Sequence, residues 1–206
     1  KDEDGTHAAA GTKAITVVNV VPVVSAGADA TIAEGGTFSQ SGSFTDPGTD
    51  TWTATVNYGD GSGTQALTLT GKTFALSHAY ADNGTYTVTV TVTDDDTGVG
   101  SDTVTVTVNN VPPTIALAGD ATVNEGATYT LTLGTITDPG TDTVTEWIVH
   151  WGDGSSDTYP TGGAKTHVYA DDHPATGTPS DPFTITVDLK DEDGTHAAAG
   201  TKAITV

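Results

Sequence analysis

The side chains able to do chemistry in this sequence are mostly carboxylates. Two acidic runs recur, Asp94-Asp95-Asp96 and Asp191-Glu192-Asp193, and each has matching companions. Glu34 pairs with Glu125, Asp46 with Asp138, and the amide Asn19 with Asn110. Hard oxygen donors with amide carbonyls, and neither cysteine nor paired histidine, suit calcium better than zinc or copper. Catalysis is not expected. There is no cysteine or arginine, no nucleophile beside a base and its orienter, and no phosphate-cradling loop. Asp2-Glu3-Asp4-Gly5 lacks the twelve-residue pattern of an EF-hand.

Plainer roles compete for the same residues. Asp-Pro-Gly is a good turn by itself, and Gly-Asp-Gly suits a hairpin needing positive φ. Asp60 and Asp153 are therefore expected to be turn residues. His78 and His167 are expected to pack or hydrogen-bond near strand ends. His7 and His196, in an Ala/Gly-rich stretch, are expected to face solvent. Trp52, Trp147 and Tyr58 are read as core or sheet-face aromatics rather than a sugar platform. The acidic triplets could also be a solvated surface, but their recurrence beside the same linker favours calcium.

The formal charge is −21, from 27 acidic residues against six lysines. Such a polyanion repels phosphate backbones and anionic lipid, so no nucleic-acid partner is expected. Without cysteine, stability must come from packing or bound ions. No apolar run is long enough to span a bilayer, so no membrane insertion is expected in this stretch. Any export signal or anchor is expected to lie outside it.

The elements that position these acids are repeated. Lys1 to Val17 (KDEDGTHAAAGTKAITV) returns unchanged as Lys190 to Val206, an offset of 189 residues. This predicts a tandem array of that period, continuing past both ends. The period itself divides. Asn19-Val20-Val21-Pro22 matches Asn110-Val111-Pro112-Pro113, and Asp46-Pro47-Gly48-Thr49-Asp50 matches Asp138-Pro139-Gly140-Thr141-Asp142. Tyr58-Gly59-Asp60-Gly61 matches Trp151-Gly152-Asp153-Gly154, and His78-Ala79-Tyr80 matches His167-Val168-Tyr169. The expected division is 1–18 as the final strand of a preceding copy, 19–110 as one module and 111–206 as a second.

Alternation from Thr85 to Val92 puts one aromatic and the valines on one face and threonines on the other. Thr103 to Val108 and Phe183 to Leu189 do likewise. Period two, with turn residues every few positions and no helical period, predicts antiparallel sheets. About seven short strands per module predict an all-β fold of tandem immunoglobulin-like sandwiches.

On these residues each module resembles the polycystic-kidney-disease (PKD) repeat. The matching elements are the aromatic-Gly-Asp-Gly turn, the His-x-Tyr, the Tyr86 to Asp94 strand and the Asn-Val-x-Pro linker. The resemblance implies an immunoglobulin-like sandwich of secreted or cell-surface bacterial and archaeal proteins, structural and adhesive, without catalytic residues. Between Asp171 and Pro182 a longer segment replaces the short turn of the first module.

Counting strands up and down between two poles brings the acids to the joints between modules. One joint is expected to gather Glu34, Asn110, Asp138, Asp191 and Asp193 around calcium. The next is expected to gather Glu125 with a neighbouring copy's Asn19, Asp46, Asp94 and Asp96. Asp2 and Asp4 are expected to repeat the role of Asp191 and Asp193. The layout is similar to the calcium joints of cadherins. The expected function is the repeat unit of an extracellular calcium-stabilised filament, stalk or giant surface adhesin. Its partners are neighbouring copies, head to tail, and possibly further strands of a filament. The alternative is a carbohydrate- or protein-binding module appended to a secreted enzyme. Thr12 to Val17 should pair with a preceding copy as Thr201 to Val206 pairs with Phe183 to Leu189.

Overall fold

The computed structural model describes residues 3–5, 11–171 and 180–206, and among these there is no helix. Residues 23–109 carry β1 (Val23–Ser25), β2 (Ala30–Ala33), β3 (Thr37–Thr45), β4 (Trp52–Asn57), β5 (Thr64–Leu67), β6 (Leu69–Thr70), β7 (Thr73–Ala79), β8 (Gly84–Asp94) and β9 (Val99–Asn109). Residues 114–205 carry β10 (Thr114–Ala118), β11 (Thr128–Thr137), β12 (Glu146–His150), β13 (Ser156–Tyr159), β14 (Gly163–Val168), β15 (Pro182–Lys190) and β16 (Thr195–Thr205). Each set makes two sheets. The first pair is β1-β3-β7-β6 with β2-β9-β8-β4-β5; the second is β10-β11-β14 with β13-β12-β15-β16. These are immunoglobulin-like sandwiches.

Alternation drives the burial. In β8, Val88, Val90 and Val92 are buried, and the threonines between them are not fully so. The same holds in β15, where Phe183, Ile185, Val187 and Leu189 point inward. They join Tyr129, Leu131, Val149 and Trp151 in one core. Each such side chain contributes about 1.5–3 kcal/mol when fully buried. A smaller cluster joins Phe44, Ala54 and Val92 with Trp52 and Leu67.

Two features depart from the simple strand count. The first strand is split: β1 pairs antiparallel with β3, but β2 pairs parallel with β9. Buried Ala26 marks the break; its N–H donates to Asp102 Oδ2 at 2.8 Å, and its carbonyl accepts from Gln40 Nε2 at 2.8 Å. The last strand is also longer than expected. It begins at Thr195, so the His-Ala-Ala-Ala-Gly stretch is strand rather than loop. Register runs from Pro182↔Thr205 to Lys190↔Thr195, with a bulge between Val187 and Leu189. Ala198 takes φ 53° there, and its N–H donates to Asp188 Oδ1 at 2.8 Å. Alanine and glycine carry little β propensity, which hid this strand from the sequence pattern.

Thr12 to Val17 belongs to no strand. Ile15 and Val17 are 78% and 88% exposed, whereas their sequence copies Ile204 and Val206 are 2% and 7% exposed. Asp2 and His7 lie outside the described residues, and Asp4 is exposed.

By its contacts the chain gathers into two compact units. The first holds Gln40–Leu76, Val88–Val104 and the segment up to Gly27; the second holds Ala28–Ser39, Ser77–Thr87 and Thr105–Val206. The turns after β2 and β7 thus share a unit with residues 105–206.

Candidate metal centre

The centre is built in the second unit from two turns. The first comes after β2. Glu34 is 2% exposed, and its N–H donates to the Asn109 carbonyl at 3.0 Å. Its Oε1 accepts the Val111 N–H at 2.6 Å. Gly35, at φ 67°, turns the chain and donates to the Tyr80 carbonyl at 2.8 Å. The second turn comes after β11. Asp138 Oδ1 accepts the Gly140 N–H at 3.0 Å, the side-chain-to-backbone turn that Asp-Pro-Gly favours.

The two turns fit closely. A Cβ on Gly35 would lie 2.6 Å from the Pro139 carbonyl oxygen, and one on Gly140 would lie 2.8 Å from Glu34 Cδ. The Thr141 N–H donates to the Ala81 carbonyl at 3.0 Å. This contact brings Glu34, Asp138 and Asp142 together, one carboxylate oxygen of each lying within 4.8 Å of the others.

These oxygens lack a donor. Glu34 Oε2, Asp138 Oδ2 and both carboxylate oxygens of Asp142 are buried with no hydrogen-bond partner. Nearly all buried polar groups in proteins are paired, and an ionised carboxylate only accepts. Four orphan acceptors of like charge in one place cost free energy unless a cation supplies the missing positive charge. Asp142 registers the cost. Burial first, then the charges of Glu34, Asp138, Asp193 and Glu192, push its pKa from 3.8 to about 6.

Two further acceptors are orphaned, Asn110 Oδ1 and Asp191 Oδ2. Asn110 adjoins Val111, the donor to Glu34. Asp191 is 6% exposed, and its Oδ1 accepts the N–H groups of Asp193 and Gly194 at 3.0 and 3.1 Å. His196 Nε2 lies 2.9 Å from that oxygen. It also lies 2.8 Å from Asp191 Oδ2, but there as an ion-pair distance only, without hydrogen-bond alignment. His196 therefore does not face solvent as expected; its side chain is 12% exposed because β16 starts early and carries it inward. The loop is tied to the centre by Glu192, whose Oε2 accepts the Thr143 N–H at 2.9 Å. Asp193 is exposed and reaches Asp142 through its charge.

The first unit carries a related acidic end with a different balance. Asp46 Oδ1 accepts the Gly48 N–H at 3.0 Å and Oδ2 the Trp52 indole N–H at 3.0 Å. The Trp52 bond, then the Gly48 bond, hold Asp46 below the usual carboxylate range. Asp94 Oδ1 accepts the Gly98 N–H at 2.6 Å, and Oδ2 accepts from Asn19 Nδ2 at 2.9 Å. Asn19 and Asp94 are thus brought together. Asp96 is exposed and lines an open cleft with Asn19, Pro47 and Asp50. Glu125 belongs to the second unit and is exposed.

Asp142 is a candidate ligand that residue pattern alone did not single out; Asp50 is its counterpart in the first unit. Asp50 is also pushed up, by burial and then by Asp46, Asp95, Asp94 and Asp96. The signal was present in the matched Asp-Pro-Gly-Thr-Asp turn, which is acidic at both ends. A Cβ on Gly140 would lie 3.0 Å from Asp142 Oδ2, so the glycine is what lets the second aspartate fold back.

The Gly-Asp-Gly turns are structural. Asp60 Oδ1 accepts the Ser62 N–H at 3.0 Å, and Asp153 Oδ1 the Ser155 N–H at 2.9 Å. Asp153 Oδ2 also lies 2.7 Å from His167 Nε2. Burial opposes ionisation of Asp153, but the Ser155 and His167 bonds hold it below its ordinary value. His167 stacks on Trp151, with ring centroids 4.6 Å apart.

Sheet order and core define an immunoglobulin-like β-sandwich protein with a carboxylate cluster between two of its turns. Within it, residues 19–108 match the family model of the PKD domain. The chain is similar to the PKD domain of an M14-like peptidase from a Thermoplasmatales archaeon, at 26% identity over 44% of this chain and 98% of that one, TM-score 0.36. It is similar to a tandem pair of titin Ig domains, at 12% identity over 91% and 96%, TM-score 0.37. A Drosophila receptor tyrosine phosphatase Ig1-2 module matches at 14% identity over 90% and 97%, TM-score 0.34. No curated protein matches the chain.

Proposed function

We propose that this protein is a non-catalytic structural repeat unit of an extracellular filament, stalk or giant surface adhesin, stabilised by calcium. The observation that carries this reading is the set of buried, partnerless carboxylate oxygens on Glu34, Asp138 and Asp142. An all-oxygen, multiply charged donor set matches the preference of calcium for six to eight oxygen ligands. Asn110 and Asp191 would add neutral and charged oxygen at its edge. The seventeen-residue recurrence supports the array. PKD and immunoglobulin-like modules are usually extracellular, and among the described residues no helix is long and apolar enough to cross a membrane.

A sugar-binding appendage would present an exposed aromatic platform. Among the described residues the exposed large apolar side chains are valines and one isoleucine, and every aromatic is at least half-buried. The filament reading is therefore favoured over a sugar-binding one.

Calorimetric titration with calcium tests it. Extracellular modules bind with dissociation constants of about 10⁻⁴–10⁻³ M. At about 1 mM calcium the tight end of that range adds about 1.4 kcal/mol per site. Glu34→Gln should weaken binding at least about tenfold, since affinity depends on ligand charge. A titration without heat, and melting unchanged by a chelator, would show these to be ordinary buried acids.

A further inference from the structure

We infer that the turn at Glu125–Gly126 is a socket for the Asp46–Asp50 turn of a second copy of this chain; the inference rests on the repeat-unit reading and names its partner surface. The mated version of this pair is already present in the second unit. There Gly35 lies against Pro139, Gly140 against Glu34, and the Thr141 N–H reaches the Ala81 carbonyl. By the motif match, Glu125-Gly126 corresponds to Glu34-Gly35, Ala170 to Ala81, and Pro47-Gly48-Thr49 to Pro139-Gly140-Thr141.

Both unmated halves hold the backbone turn of the mated ones. Gly126 has φ 69° against 67° at Gly35. Its N–H donates to the Tyr169 carbonyl at 2.7 Å, as that of Gly35 donates to Tyr80 at 2.8 Å. The Ala127 N–H reaches the Asn124 carbonyl at 3.0 Å, as Gly36 reaches Ala33 at 3.1 Å. On the other half, Asp46 Oδ1 closes on the Gly48 N–H at the same 3.0 Å as Asp138 on Gly140. The Thr51 N–H donates to Asp95 as Thr143 donates to Glu192. The glycines differ in occupancy. Among the described residues a Cβ on Gly126 would meet nothing within 4 Å, where one on Gly35 would run into Pro139. Glu125 and Ala170 are exposed.

A socket that keeps its mated geometry needs no rearrangement to receive its partner, so little ordering cost opposes docking. The 189-residue recurrence supplies the partner. In an array, Val206 is succeeded by the segment from Val18, which leads into Asn19 and the Asp46–Asp50 turn. In the joint so formed, Glu125 would accept the Val20 N–H of the next copy, as Glu34 accepts that of Val111. The Thr49 N–H of the next copy would donate to the Ala170 carbonyl. Asp46 and Asp50 would then face Glu125 as Asp138 and Asp142 face Glu34.

Gly126→Asn and Gly35→Asn test this together. Asparagine tolerates positive φ, so any difference between the two variants reports the space in front of the glycine. In the single chain, Gly126→Asn should melt with the parent, whereas Gly35→Asn should melt earlier. A two-period chain, with residues 18–206 appended after Val206, then carries spin labels at Thr158→Cys of the first copy and Ala66→Cys of the second. Millimolar calcium should give one narrow distance peak, and Gly126→Asn in the first copy should remove it. A broad distribution in the parent, or a narrow peak that survives Gly126→Asn, overturns the socket. Calcium titration of the same single-chain samples reports the Glu34 centre separately. Normal binding there with no effect of Gly126→Asn sinks the socket alone. Absent binding with a narrow peak lost on Gly126→Asn sinks the calcium reading alone.

Discussion

Replacing Asp142 by asparagine should stabilise the calcium-free protein while weakening its response to calcium. Asn keeps the shape and removes one charge from three crowded carboxylates. Burial, with Glu34, Asp138, Asp193 and Glu192, raises Asp142 to about 6 from 3.8. At 1.36 kcal/mol per unit, and with part of the repulsion screened by solvent, the ionised group costs about 1–3 kcal/mol. Proton counting gives the sign. Between pH 3.8 and about 6 the folded state holds the proton that the unfolded chain has lost, so stability falls as pH rises. The cost is absent at pH 3 and complete at pH 7. Thermal melts in chelator should therefore show Asp142→Asn above wild type at pH 7, by on the order of 10 °C for a domain of this size. The two should converge at pH 3. In calcium the wild type should gain more than the variant. Coincident melts at pH 7, or a gap that ignores pH, would refute the claim that crowded charge is stored here.

Other substitutions probe the scaffold. Leu131→Ala, at a fully buried position, should cost about 2–5 kcal/mol by chemical denaturation. Gly140→Ala sets a methyl group 2.8 Å from Glu34 Cδ and should destabilise by about 1–3 kcal/mol while lowering calcium affinity; retention of both would mean the two turns are not in contact. His196→Ala removes the partner 2.9 Å from Asp191 Oδ1 and should lower the melting temperature by several degrees. His196→Gln, which can donate at the same place, should recover part of the loss.

Much of the fold was legible because its signals are local. Alternation of apolar with polar residues fixes which face of β8, β9 and β15 is buried, and Asp-Pro-Gly and Gly-Asp-Gly fix turns. The split of the first strand was not legible. It depends on Asp102 and Gln40, distant in sequence, catching both backbone groups of Ala26. The start of β16 was hidden for the related reason that Asp188 stabilises its bulge from the neighbouring strand. At the centre, Glu34 and Asp138 stand out in the sequence by recurrence and ligand type. Asp142 was not, because its role comes from being folded back over Gly140 beside Glu34. His196 was misjudged because exposure was assigned from its alanine neighbours rather than from the strand that carries it.

The most direct test is anomalous X-ray diffraction from crystals grown in millimolar calcium. A calcium peak is expected among the carboxylates of Glu34, Asp138 and Asp142, lost in Glu34→Gln crystals. Data without a peak there, or with peaks only on exposed acids such as Asp96 and Asp193, would contradict it.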